Sequence, residues 1–186
     1  DCTMSSYLRK SYTTIGKIYF WTATIHQWRH LLSGEFNKKI IIDYLKELSD
    51  AGLVTIFAFV VMPIHVHLIW RQNKMNGKES PFGSFLKYTA HKLLRGLKLS
   101  GHAAKYKVEA SNKLHEIWKR DSLAIEIYSR EVARQKIDYV HVNPVSRCWK
   151  LAIDDLHYHY SSARFYENGT DEFGFLTNLF FIFDGE

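Results

Sequence analysis

The chain has 186 residues, of which 46% are hydrophobic, 15% aromatic and 24% charged; this fits one packed domain and excludes a disordered, collagen-like or low-complexity polymer. Lys and Arg outnumber Asp and Glu by 25 to 19, a balance suited to a polyanionic partner. Cys2 and Cys148 are the only cysteines, too few for a disulfide scaffold and without zinc-ribbon spacing, so a reducing cytoplasm is expected.

The amino-terminal DCTMSSYLRKSYTT lacks the apolar core of a secretion signal. Lys17 to Thr24, KIYFWTAT, is aromatic and β-branched and predicts a first strand. Trp28 to Leu32 leads into a loop. Phe36 to Leu48 sets Ile40, Ile41, Tyr44, Leu45 and Leu48 on one helical stripe ending before Ala51-Gly52. Residues 51 to 70 carry no formal charge over twenty positions, the length of a membrane span. Pro63 and two histidines break that run and β-branched and aromatic residues dominate it, so two antiparallel strands are expected instead, Val54 to Val61 and His65 to Trp70. Asn73 to Pro81 reads as a loop.

Pro81 to Leu99 has helical spacing through Phe82, Phe85, Leu86, Leu93, Leu94 and Leu97, with cations on the other face. Ser100 to Ser111 is expected as a loop and Leu123 to Tyr128 as a strand. Ser129 is the expected N-cap of a helix running to Asn143, stopped by Pro144. This order predicts an α+β fold: a ferredoxin-like, split βαβ antiparallel sheet with helices packed on one face. We expect a single domain, its core spanning about residues 15 to 166. Residues 167 to 186 hold five acids and no base, and their FGFLTNLFFIF run is expected as a final strand or docking segment.

Between Ser84 and Arg120 nine lysines and arginines face two acids, a concentration that suits phosphate tracking and equally an ordinary solvated helix face. Lys87, Lys92, Arg95 and Lys98 recur along one helical flank. Trp118 beside Lys119 and Arg120 is either a stacking surface for an unpaired base or a buried core residue.

His65 and His67 sit two apart on a predicted strand, so both imidazoles project from the same face and can ligate one divalent metal. A second such pair, His157 and His159, lies in polar DDLHYHYSS and is read as surface chemistry. Tyr139 and Asn143 are spaced i and i+4, sharing a helical face with Gln135. Alone, these two read more readily as a core aromatic and a helix C-cap than as a nucleophile and a ligand. A histidine-triad nucleotide hydrolase is disfavoured because Ile69 stands where its next histidine would be.

MPIHVHLIW followed by DYVHVNPV, from about Tyr19 to the SSARFY ending at Tyr166, resembles the REP-associated tyrosine transposases of the single-tyrosine HUH endonuclease superfamily. The resemblance implies a ferredoxin-like fold with His65 and His67 as metal ligands on the central sheet and Tyr139 as nucleophile on a helix after the last core strand. Asn143 takes the place of a third ligand, where close relatives carry glutamine. It further implies Mg2+ or Mn2+, cleavage of single-stranded DNA at or near hairpins through a 5′-phosphotyrosine, and DNA contacts from Lys87, Lys92, Arg95, Lys98, Lys119 and Arg120. Either a monomer or a homodimer is compatible. The alternative is a domesticated hairpin-binding protein that does not cut.

Overall fold

The computed structural model describes residues 13–110, 113–120 and 122–184; the readings that rest on Cys2, on the amino-terminal stretch before residue 13 and on Ser111 lie outside them. Strand β1 (Ile18–Thr24) is followed by helix α1 (Glu35–Asp50), strands β2 (Val54–Val61) and β3 (His65–Gln72) and helix α2 (Pro81–Leu99). A short hairpin follows, β4 (Lys107–Ala110) with β5 (Lys113–His115), then strand β6 (Leu123–Glu126), helix α3 (Arg130–Val142), and the short helices α4 (Ala163–Asn168) and α5 (Phe180–Asp184).

The main sheet runs in the order β2-β3-β1-β6, with every neighbouring pair antiparallel. The strands joined through α1 are therefore separated by β3, and those joined through α2 by β1, which interleaves the two crossovers. Local chemistry sets the ends of these elements. The Ser80 hydroxyl accepts from the Gly83 amide at 3.1 Å with Pro81 opening α2, and the Ser129 hydroxyl accepts from the Val132 amide at 3.3 Å at the start of α3. Gly52, at φ 67°, turns the chain out of α1 into β2, a conformation that favours glycine.

Alternation along the strands makes two cores. Trp21, Ala23, Phe59, Val66, Leu68 and Trp70 face α1 and α2, where Ile41, Leu45, Leu48, Phe85 and Leu93 complete one apolar cluster. Phe20, Ala58, Val60 and Ile69 face the other way, against Ala133, Ile137 and Val140 of α3. The expectation of helices on one face thus holds for the two crossover helices and fails for α3. A β-bulge between Ile56 and Ala58 allows both Phe57 and Ala58 to join the α3-side cluster.

One further expectation is corrected, and another resolves to one of its two alternatives. The segment after α2 forms the β4–β5 hairpin instead of a plain loop, because Tyr106, buried beneath it, anchors the chain to the first core. The carboxy-terminal run makes no main-sheet strand among the described residues: Leu176 forms one bridge to Ile56, and Phe175 and Leu179 are buried. It docks through backbone and side chains, with the Thr177 amide donating to the Ile56 carbonyl at 2.9 Å and the Leu179 amide to the Tyr166 hydroxyl at 3.1 Å. No helix among the described residues is long and apolar enough to cross a membrane.

Candidate active site

β1 and β3 bring the histidine pair to the centre of the α3 face. Thr22 lies opposite His67 and Thr24 opposite His65, and the imidazole centroids are 4.4 Å apart. His67 is 2% exposed and His65 7%. The Thr22 hydroxyl is 2.7 Å from His67 Nδ1, so an Nδ1–H that donates to Thr22 leaves the Nε2 lone pair to face the site. Burial pushes the pKa of His65 down to about 4, against a smaller opposing pull from the Asn143 amide, and holds His67 well below the usual imidazole range. Both rings are accordingly neutral at pH 7, the state in which imidazole ligates metals.

Helix α3 crosses over this pair. The Tyr139 ring centroid lies 5.3 Å from that of His67, and Phe20 contacts both rings, at 5.2 Å from His67 and 5.8 Å from Tyr139. Tyr139 is 50% exposed, so it is not the core aromatic that its spacing alone allowed. Asn143 sits at the helix C-cap, where its backbone carbonyl accepts from the Ser146 hydroxyl at 2.8 Å. Its side chain is left for another task. The amide oxygen Oδ1 of Asn143 and the Nε2 atoms of both histidines are buried without hydrogen-bond partners.

Buried polar atoms are ordinarily satisfied. Here three orphaned lone pairs, two imidazole nitrogens and one amide oxygen, belong to neighbouring side chains and match the donor set of a divalent cation. Among the described residues no group of three or more His, Cys, Asp and Glu side chains could hold a metal; the third donor in this set is an amide. Lys136, one turn before Tyr139, lies over the Phe20 ring at 5.2 Å and further disfavours a charged His67. Sequence reading passed over this cation, although its i, i+3 spacing to Tyr139 was visible. Gln135 is exposed and lines a surface pocket with Arg130, Arg134 and Asp138, apart from the histidines.

The six cations expected at DNA divide into two groups. Lys87, Lys92, Arg95 and Lys98 belong to α2, on the sheet face opposite the histidines; Lys87 pairs with Glu79 at 3.0 Å and Lys92 lies over the Tyr88 ring. Lys119 and Arg120 lie at the end of the sheet that carries His65, since the Lys119 amide donates to the carbonyl of Thr24, which pairs with His65. Arg120 is held by Glu116 at 3.3 Å. Trp118 is buried, its indole N–H donating to the Thr89 hydroxyl at 3.0 Å. The exposed indole beside Lys119 is Trp28, with the ammonium 4.5 Å from its ring centroid. Trp28 and Gln27 both hold left-handed backbone, at φ 52° and 55°. His157 and His159 are surface residues paired with Asp154 and Glu172.

These features define an α+β protein with a buried histidine pair on its central sheet and a tyrosine on the helix that faces it. The chain shares its fold with a REP-associated tyrosine transposase solved bound to a REP hairpin, matching it with a TM-score of 0.60 at 20% identity over 95% of this chain and 93% of that one. A protein of Deinococcus radiodurans, provisionally assigned as a transposase, matches at 15% identity and a TM-score of 0.41 over 72% of this chain and 95% of that one. No protein-family profile and no curated protein matches the sequence.

Proposed function

We propose that this ferredoxin-like domain is a metal-dependent single-strand DNA endonuclease and strand transferase, a transposase acting at or near hairpins through Tyr139. The convergence of three unpartnered donor atoms, on His65, His67 and Asn143, with the half-exposed hydroxyl-bearing ring of Tyr139 supports this reading most strongly. His65, His67 and Asn143 would hold Mg2+ or Mn2+, which when bound supplies charge stabilisation to a phosphodiester.

The chain's own residues supply the rest. Tyr139 Oη gives up its proton and attacks phosphorus, the bond from phosphorus to the 3′ oxygen breaks, and that oxygen takes up a proton in exchange. The products are a 5′-phosphotyrosine and a free 3′-hydroxyl; because the phosphodiester energy is retained, a 3′-hydroxyl can later displace the tyrosine and rejoin strands. Lys136 places a cation beside the phosphate as its charge develops. Lys119 and Arg120 bind the strand entering at the His65 end, and Trp28 offers the stacking face that buried Trp118 cannot. The α2 cations would meet the duplex part of a hairpin that extends past the sheet edge. Within the chain the Tyr139 ring lies beside that of His67, which supports a site assembled in cis.

The experiment is incubation with labelled hairpin oligonucleotides carrying single-stranded flanks, with Mn2+, followed by denaturing electrophoresis. A protein–DNA adduct that survives boiling and disappears in Tyr139→Phe and His67→Ala is the expected result. Metal and hairpin binding without any adduct would instead make the chain a hairpin-binding protein that does not cut.

A further inference from the structure

A pocket of about 440 Å³ opens beside the histidine pair, lined by His30, Ser33, Lys38, Pro63, Trp149 and Tyr158 among others. The Trp149 ring lies 6.0 Å from that of His65 and 5.9 Å from that of His30, so one wall of the pocket packs against the candidate metal site. Trp149 is held in place by the turn that follows Asn143-Pro144: its amide donates to the Ser146 carbonyl at 2.9 Å, and the Leu151 amide donates to the Pro144 carbonyl at 2.8 Å.

Lys38 is the unusual member. It is 9% exposed, and among the described residues its ammonium has no hydrogen-bond acceptor and lies over the rings of Tyr160 at 4.8 Å and Tyr158 at 5.4 Å. Burial lowers its pKa, with Glu35 opposing. Its position in the first turn of α1, next to the positive end of the helix dipole, adds a second unfavourable contribution for a cation. The stem of Lys38 is covered while its ammonium reaches the pocket, where an anion would meet it beside the positive end of α1.

We propose that this pocket receives the nucleotide adjoining the scissile phosphate of single-stranded DNA, with the Lys38 ammonium on that nucleotide's own phosphate and the Trp149 indole against its base. The inference rests on the function proposed above and assigns Lys38 and Trp149 as positioning residues for the substrate. The pocket is concave, walled by aromatic rings and supplied with one cation, the combination that stacks a base and neutralises its phosphate.

The test uses Lys38→Met, Lys38→Arg and Trp149→Ala, with fluorescence anisotropy on labelled oligonucleotides that carry a hairpin and a single-stranded flank. Lys38→Met is expected to weaken binding about tenfold or more and to reduce the slope of log affinity against log salt by about 0.7, while the melting temperature holds or rises. Lys38→Arg retains the affinity. One abasic position in the flank should weaken binding to the wild type and leave binding to Trp149→Ala unchanged. A Lys38→Met protein that melts lower but binds normally would make Lys38 a structural staple and overturn the proposal, as would equal abasic effects in wild type and Trp149→Ala. If the wild type forms the Tyr139 adduct while these variants bind normally, the pocket assignment fails alone; if the wild type neither binds single strands nor forms an adduct, both readings fail.

Discussion

The hydroxyl of Thr22 lies 2.7 Å from His67 Nδ1 across the β1–β3 pair, and it decides which ring nitrogen faces the site. A hydroxyl so placed fixes the tautomer and ring orientation of a metal-binding imidazole. Thr22→Val, which keeps the shape and removes the hydrogen bond, should therefore weaken Mn2+ binding about 10- to 100-fold, measured by titration calorimetry. Thr22→Ser should restore most of it. Unchanged affinity in Thr22→Val would remove Thr22 from the ligand-orienting role.

Tyr139 packs against His67 of its own chain, ring centroids 5.3 Å apart. An equimolar mixture of His67→Ala and Tyr139→Phe proteins should accordingly form no adduct beyond that of either alone, because neither chain holds a complete site. Recovery of adduct in the mixture would show that α3 is exchanged between subunits.

Buried His141 contacts the Ser162 hydroxyl at 2.9 Å, and burial lowers its pKa from the ordinary imidazole value near 6.5 to about 4. As pH falls from 6.5 to 4 the unfolded chain takes up this proton first, so stability is fully present above 6.5 and declines on acidification. His141 alone accounts for a loss of about 3 kcal/mol across that window, and His65 in the metal-free chain acts in the same direction. Urea midpoints at pH 7 and pH 4.5 should differ less in His141→Gln than in the wild type. An undiminished difference would exclude His141 as a source of the acid sensitivity.

The two groups of cations should separate in binding and cleavage. Replacing Lys87, Lys92, Arg95 and Lys98 with Gln should reduce the salt dependence of hairpin binding by about 0.9 per lost phosphate contact, with cleavage of a short single strand unchanged, because α2 lies across the sheet from the histidines. Replacing Lys119 and Arg120 should slow single-strand cleavage. The reverse pattern would place the substrate on the α2 face.

The elements with strong periodicity were legible in the sequence. Val54 to Val61 and Pro81 to Leu99 hold to the residue, since a β-branched run and a continuous apolar stripe with Ser80 and Pro81 at its head leave little choice of local structure. The histidine pair was legible for the same reason: alternation on a strand forces both rings to one face. Which side of the sheet a helix covers is another matter, because an apolar stripe states that a face is buried and not against what. So α3 went to the unexpected face, and the α2 cations lie away from the histidines. Trp118, open between a stacking and a buried reading, takes the buried one, and Trp28, read only as leading into a loop, is the exposed indole. Composition does not distinguish them, whereas the structure buries Trp118 against Thr89 and leaves Trp28 in an exposed left-handed turn. Lys38 escaped notice because a lysine in the first turn of an amphipathic helix reads as solvated until Tyr158 and Tyr160, more than a hundred residues later, close over it.

Cleavage by the proposed mechanism joins Tyr139 to the 5′ phosphate of the cut strand. It is tested most directly with one oligonucleotide labelled separately at each end, incubated with Mn2+ and resolved under denaturing conditions, with the protein-bound peptide then identified by mass spectrometry. The expected result is that only the 3′-end label migrates with protein, that the 5′-labelled fragment is released with a free 3′-hydroxyl, and that the modified peptide contains Tyr139. Transfer of the 5′-end label to protein, attachment at another residue, or cleavage that persists in Tyr139→Phe would contradict it.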